Sequence, residues 1–459
     1  MPGSISGCLK VLFCIVMQDV KLLSTHAEEE AVRKLKSAAL SLQQSEDLDL
    51  LLDKIGDSRI VLLGEATHGT HEFYLWRNHI TRRLISEKNF SFVAAEADWP
   101  DAYQLNRYVK GYKGTPKKSR EVLKNFNRWP TWMWANWETD AFAEWLRRYN
   151  DGREEKHRAG FYGLDVYSLQ ESLEYLAAYL KANDREAYGH VQKVFRCFEP
   201  YGTQEGLSYA VRNGALSQSC EEEAVALLAA IRNKHAGYNT DPEAPLNAEQ
   251  NGVITVNAEK YYRAMIKAGP LSWNLRDLHM ADTLDRLLKF HGKQSKAIVW
   301  AHNTHIGDAR ATDMTEDGML NLGQLLHEQF HAQGVFSVGM GSYSGRVLAS
   351  NRWSGKPIKM DMPPARNGSW EQFMEEHVGS DCMVFSDDLR ETEFFEKRIN
   401  HRAIGVVYLP GSEETKNYVP SVIPERYQAF LYFQKTHPVH AMHIEPDGLQ
   451  LPETYPWGL

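Results

Sequence analysis

Positive charge is in short supply in this chain. Its 52 lysines and arginines are outnumbered by 60 aspartates and glutamates, for a formal net charge of -8 and a pI near 6.2. A nucleic-acid surface needs a basic face, and the densest basic run, Lys117-Lys118-Ser119-Arg120, reads as a solvated patch, so no nucleic-acid partner is expected. Cysteine is sparse too. The five, Cys8, Cys14, Cys197, Cys220 and Cys382, are odd in number and lack CxxC spacing, which argues against a zinc knuckle and a disulfide framework and for a reducing, cytoplasmic setting. No apolar run approaches the roughly 20 residues that cross a bilayer, so no membrane partner is expected. The mildly apolar stretch 9–17 is followed by Asp19 and Lys21 with no small-residue cleavage site, and residues 1–27 read as an N-terminal arm or upstream start. Repeats and low-complexity tracts are absent.

What the chain does have is material for a large core: 459 residues, 43% of them hydrophobic. Four short apolar runs each end in acids or histidines. Ile60-Val61-Leu62-Leu63 runs into Gly64-Glu65-Ala66-Thr67-His68-Gly69, and Phe92-Val93-Ala94-Ala95 into Glu96-Ala97-Asp98-Trp99. Phe161-Tyr162-Gly163-Leu164 ends in Asp165, and Ala297-Ile298-Val299-Trp300-Ala301 in His302-Asn303-Thr304-His305. A buried parallel strand has this composition, and open α/β sheets place their ligand crevice beyond the carboxyl ends of such strands. If the four strands lie side by side, their polar ends form one cluster. Taken singly, each ending could equally cap a helix or turn.

The expected fold is therefore α/β, a central and mainly parallel sheet flanked by helices. The residues from 28 to 459 are taken as one domain. Between the third and fourth strands, at about 168–292, apolar spacing such as Leu173, Leu176 and Leu180, Val191, Val194 and Phe198, Val225, Leu228 and Ile231, and Leu278, Leu284 and Leu288 predicts a helical insertion. Within it the polar stretch 237–251 reads as a loop. Val32, Leu35, Ala39 and Leu42 predict one or two helices before the first strand. Further strands are expected at 335–339, 382–386, 403–408 and 429–433, with a crossover helix at 320–333. Gly339, Gly341 and Gly345 mimic a dinucleotide fingerprint but open no helix, so no cofactor is expected there.

The chemistry narrows by elimination. There is no GxSxG elbow, and no cysteine stands beside a histidine in a loop, so a covalent nucleophile is unsupported. Histidines and carboxylates remain, which suit general-base activation of water or a metal-bound hydroxide. His68 and His71 form one HxxH pair and His302 and His305 another. Such spacing can chelate zinc, but it is not the helical HExxH pattern, and a chain with 18 histidines produces it by chance. Arg77, in the helix expected at 72–85, either snorkels or turns its guanidinium to a carboxylate or oxyanion. The run Trp129-Pro130-Thr131-Trp132-Met133-Trp134-Ala135-Asn136-Trp137 either lines a large apolar pocket or packs a helix on the sheet.

Six segments in this order, Gly64-Glu65-Ala66-Thr67-His68-Gly69, Glu96-Ala97-Asp98-Trp99, the tryptophan run, Gly163-Leu164-Asp165, Arg276-Asp277-Leu278-His279-Met280-Ala281-Asp282 and Trp300-Ala301-His302-Asn303-Thr304-His305, make the chain resemble the erythromycin esterase family over about residues 45–440. The resemblance implies hydrolysis of an ester or macrolactone, with macrolide ring opening as one form of it, by a histidine-activated water without catalytic metal or cofactor. It implies His68 as general base, Glu65, Arg77 and Glu96 as its catalytic surroundings, and His302 and His305 as the family's histidine pair. Trp99, Trp129, Trp132, Trp134 and Asp165 are the expected substrate-binding residues, for a small-molecule ester or macrolide-like compound. The Glu-Ala-Thr-His-Gly form of the first motif is the broad family form and does not by itself mark an antibiotic-resistance enzyme. Two alternatives stay open: a metal-dependent hydrolase using His68, Glu96 and the second histidine pair as ligands, and a non-catalytic binder of a large hydrophobic ligand.

Overall fold

The computed structural model describes residues 26–443 apart from 200–208, 210–218, 234–240, 266 and 268; residues 1–25 of the expected arm lie outside the described residues, and residues 26–27 already belong to a helix over 26–38. The main sheet joins β1 (Leu40–Ser41), β2 (Ile60–Leu63), β3 (Phe92–Asp98), β4 (Gly160–Asp165), β5 (Ala297–Trp300), β6 (Val335–Ala349), β7 (Ile358–Met362), β8 (Cys382–Phe385) and, after a small separate hairpin, β11 (Ala429–Thr436). Its order is β1-β8-β11-β6-β2-β5-β3-β4, with β7 beside the far half of β6. From β11 to β4 every neighbour is parallel. The antiparallel strands β1, β8 and β7 lie outside that block.

Strands so short hold because both of their faces are covered. Along β2, Ile60 and Leu62 enter the core with the helices Leu169–Asn183, Ala244–Met265 and Leu271–His291, while Val61 and Leu63 enter the core with His71–Lys88 and Trp137–Asn150. That alternation turns a continuous apolar run into two buried faces, as parallel sheets require. β2, β5, β3 and β4 are consecutive in the sheet, and Leu63, Trp300, Ala95 and Gly163 form one row across it. Glu65, His302, Glu96 and Asp165 therefore emerge at a single edge. After Ala95 the β3–β4 register slips, an irregularity that re-aims the residues leading to the site.

Several expectations need correction. Residues 403–408 form no strand; β9 (Ile399–Arg402) pairs instead with β10 (Tyr418–Ser421), and the 403–408 stretch runs past the site, touching Thr67 through Ile404 and Ser350 through Val407. Its apolar side chains are answered by a loop rather than a ladder. The strand expected at 335–339 continues to Ala349. Of the loop expected at 237–251, residues 237–240 lie outside the described residues, and from Ala244 on the chain is helix. In the helices between β4 and β5, Leu173, Leu176, Leu180, Val191, Val194, Ile231, Leu284 and Leu288 are buried as expected, while Val225 and Leu278 face solvent and Leu227 and Asp277 are buried in their place. Cys197 and Cys220 are joined as a disulfide, because the helices carrying them pack side by side; the odd total of cysteines conceals a pair. Among the described residues no helix is long and apolar enough to cross a membrane.

Candidate active site

The loop between β2 and the His71–Lys88 helix is held on both sides. Ile404 donates its amide to Ala66, while Leu348 and Val439 donate to the Gly69 carbonyl. A side chain at Gly69 would collide with the Leu348 backbone, and one at Gly64 with the Asn303 amide oxygen, so close approach requires glycine at both places. His68 is thereby fixed at the wall of a cavity of about 480 Å³.

His68 Nδ1 bonds Glu65 Oε1 at 2.9 Å, and Arg77 Nη2 donates to Glu65 Oε2 at 2.7 Å. The guanidinium turns to the carboxylate rather than snorkelling, with the rings of Tyr74 and Trp300 beneath it. A carboxylate accepts only, so the His68 proton sits on Nδ1 and Nε2 keeps its lone pair, the tautomer a general base needs. Arg77 contacts His68 only through Glu65.

His302 faces His68 with ring centroids 4.9 Å apart. It caps the short helix Asn303–Ile306: its Nδ1 accepts the Thr304 amide at 3.3 Å and the Thr304 hydroxyl at 2.8 Å. The ring proton is therefore on Nε2, which is buried without a hydrogen-bond partner apart from a looser influence of the Ala66 carbonyl. Burial, and then the neighbouring His68, hold the His302 pKa well below the ordinary histidine value. A neutral donor with an unspent N–H at a cavity wall is the group that can stabilise a developing oxyanion.

Glu96 ends β3 between these rings. Its Oε2 accepts the His302 amide at 2.8 Å and its Oε1 the Arg276 Nη2 at 2.6 Å. Burial opposes the charge, but His305, Arg276 and His68 keep the carboxyl far below its usual range. Asp165 takes two further bonds from Arg276, at 3.0 and 2.6 Å. His305 bonds Asp277 through Nδ1 at 2.9 Å and Arg276 through Nε2 at 2.8 Å, and it stacks on Trp273 at 4.6 Å. Burial disfavours its cation, yet Asp277 and Glu96 raise its pKa. Arg276 thus fills the space among Glu96, Asp165 and His305 where a metal would have to sit.

The aromatic expectations divide. Trp129 and Trp134 line the cavity, Trp129 packed on the exposed Trp353 at 4.6 Å. Trp99 and Trp132 do not line it and are corrected here as core residues: Trp99 is stacked between Tyr103 and Tyr162 with its indole N–H on Asn247, and Trp132 lies beneath Trp129. Arg276, Asp277, Trp273, Arg128 and the 403–419 loop are functional neighbours that residue patterns left unassigned. One signal was present. It is the basic and acidic pair Arg276-Asp277 in the helix Leu271–His291, at positions where Asp277 is buried and Leu278 exposed.

Fold and site together define an α/β protein with a buried imidazole–carboxylate cluster at the carboxyl edge of its sheet. The chain belongs to the erythromycin esterase family: a sequence model of that family matches residues 85–436, a span that starts beyond Glu65, His68 and Arg77. It is similar to erythromycin esterase type II of Escherichia coli, 27% identical over 327 residues covering 66% of this chain and 74% of that one. A putative hydrolase of Bacillus subtilis, YbfO, is 21% identical over 93% of this chain and 96% of its own. Among solved structures, a succinoglycan biosynthesis protein has a TM-score of 0.73 at 21% identity, over 90% of this chain and 98% of that one. A mutant of the erythromycin esterase EreC in its open conformation has 0.62 at 16%, over 86% and 95%; these two likenesses show the fold.

Proposed function

We propose that the chain hydrolyses a bulky carboxylic ester, macrolactones included, by a water molecule activated at His68. The supporting observation is the Glu65–His68 pair with its Nδ1 contact of 2.9 Å, packed beside the His302 ring at 4.9 Å on the wall of a cavity of about 480 Å³, a size within the usual range for small-molecule sites. In this reading His68 Nε2 takes a proton as water attacks the ester carbon, and His302 donates to the carbonyl oxygen as it becomes an oxyanion. The proton then passes from His68 to the departing alkoxide, leaving acid and alcohol. Glu96, pinned by Arg276 and the His302 amide, positions the two rings. Trp129, Trp134 and Trp353 offer apolar walls for the alcohol portion.

The metal-dependent alternative is disfavoured by Arg276, whose guanidinium already serves Glu96 and Asp165. A panel of alkyl esters, aryl esters and macrocyclic lactones, followed by mass spectrometry in heavy-oxygen water, tests the proposal. One labelled oxygen in the acid product is expected. Tight binding of such compounds with no turnover of any would make the protein a binder instead. The proposed partners are small esters alone, and the proposed compartment is the cytoplasm, where a reducing pool would act on Cys197–Cys220. Fractionation with thiol labelling tests that placement.

A further inference from the structure

Behind the catalytic loop, facing away from the cavity, lies a second group of histidines and carboxylate. His71 opens one helix, Glu138 sits in the first turn of another, and His440 belongs to the segment 437–442 that follows β11. Glu138 Oε1 is bonded at 2.7 Å by His71 Nδ1 and at 2.6 Å by His440 Nδ1. The two rings meet edge-on with centroids 5.3 Å apart, and the three ligand atoms lie within 4.8 Å of one another. His71 and Glu138 are buried and His440 is half-buried. None of the three lines the cavity.

We propose that His71, Glu138 and His440 form a structural site for a divalent transition-metal ion of the zinc class. Two imidazoles and one carboxylate are a ligand set that zinc and its neighbours favour, and the half-buried side of His440 leaves an outward position for water. A tetrahedral zinc with bonds near 2.0–2.1 Å separates its ligand atoms by about 3.3 Å, so the 2.6–2.7 Å contacts need open by only about 0.7 Å. Each neutral imidazole moves its proton from Nδ1 to Nε2 and presents the freed lone pair. Burial opposes the charge on Glu138, but hydrogen bonds from His440 and His71 hold its carboxyl at about 2, well below the ordinary value, so the ligand carboxylate is ionised at neutral pH, as metal binding requires.

The location gives the ion something to hold. Trp137 donates its amide to the His440 carbonyl, His71 to His437 and Val439 to Gly69. The metal would therefore pin the 437–442 segment across the first turns of two helices and the loop bearing His68. It takes no part in the hydrolytic step.

The test uses the full chain, stripped with chelator and titrated with cobalt(II) and zinc(II). One equivalent should bind, with the intense visible absorption of four-coordinate cobalt and a melting temperature several degrees higher. His440→Ala, at a half-buried position, should weaken binding at least about tenfold and lose the spectrum, whereas His302→Gln should bind normally. Glu138→Gln is a second variant, and His440→Ala decides the matter if that buried substitution fails to fold. Substoichiometric binding, one equivalent surviving His440→Ala unchanged, or binding lost with His302→Gln would each overturn the site.

Discussion

Two histidines three residues apart, His68 and His71, both bond a buried carboxylate through Nδ1, at 2.9 and 2.7 Å, yet they belong to unlike environments. Glu65 has its second oxygen on Arg77, so its one imidazole is oriented and its charge neutralised. Glu138 shares a single oxygen between two imidazoles and accepts the His440 amide as well, at 3.3 Å. His68 lines the cavity beside His302, whereas His71 lies off it, its backbone amide bonded to the His437 carbonyl. Residue type does not separate a reacting imidazole from a holding one. A place on the cavity wall does.

The comparison breaks most decisively at His68. His68→Ala should lower kcat by about 10²- to 10⁴-fold, the range for loss of a general base, with little change in melting because a cavity wall rather than the apolar core is altered. A variant with near-normal turnover would remove the distinction between the two groups. Next comes Arg276→Met, which removes the one guanidinium bonded to both buried carboxylates, Glu96 and Asp165. Loss of one partner of such a pair costs about 3–5 kcal/mol, so chemical denaturation should show a large drop in stability, and an unchanged midpoint would mean those carboxylates find another cation.

His302→Gln should reduce turnover by at least about 10²-fold, the scale of one oxyanion donor, while substrate binding changes less. A loss confined to KM would move His302 from the reacting centre to substrate binding. The smallest effect concerns Asp101 on the cavity wall, whose carboxyl is pushed up to about 7 by burial and by Asp98 and Glu171. Such a group binds more protons folded than unfolded, so its stabilising contribution is full below the ordinary carboxylate value and fades as pH climbs through about 7. Melting temperatures of the wild type should therefore fall relative to Asp101→Asn between about pH 5 and 8, and parallel curves would show Asp101 ionised throughout.

Much of this was legible in residue order. The runs ending in Glu65-Ala66-Thr67-His68, Glu96, Asp165 and His302 read as strands because they are short, apolar and β-rich, and they sit together because parallel strands share an edge. Trp99 and Trp132 were misread, since an indole core and an indole pocket have the same composition. Arg276 stood in one of the recognised segments without a role, because its partners, Glu96, Asp165 and His305, lie 180, 111 and 29 residues away and no local period reports such contacts. The stretch 403–408 misled because β-branched apolar residues serve a loop pressed on the site as readily as a strand.

The strap over the catalytic loop orders events in time as well as in space. Gly69 leaves the ribosome long before Val439, whose amide it must receive, and at roughly 5–20 residues per second the wait is on the order of half a minute. During that interval β2 can be made but not seated, because β6 and β5 on either side of it are also translated later. A translation product arrested before residue 437 should have every residue of the acid–base centre and the tethers from Leu348 and Ile404, but lack the Val439 bond that closes the loop from its other side.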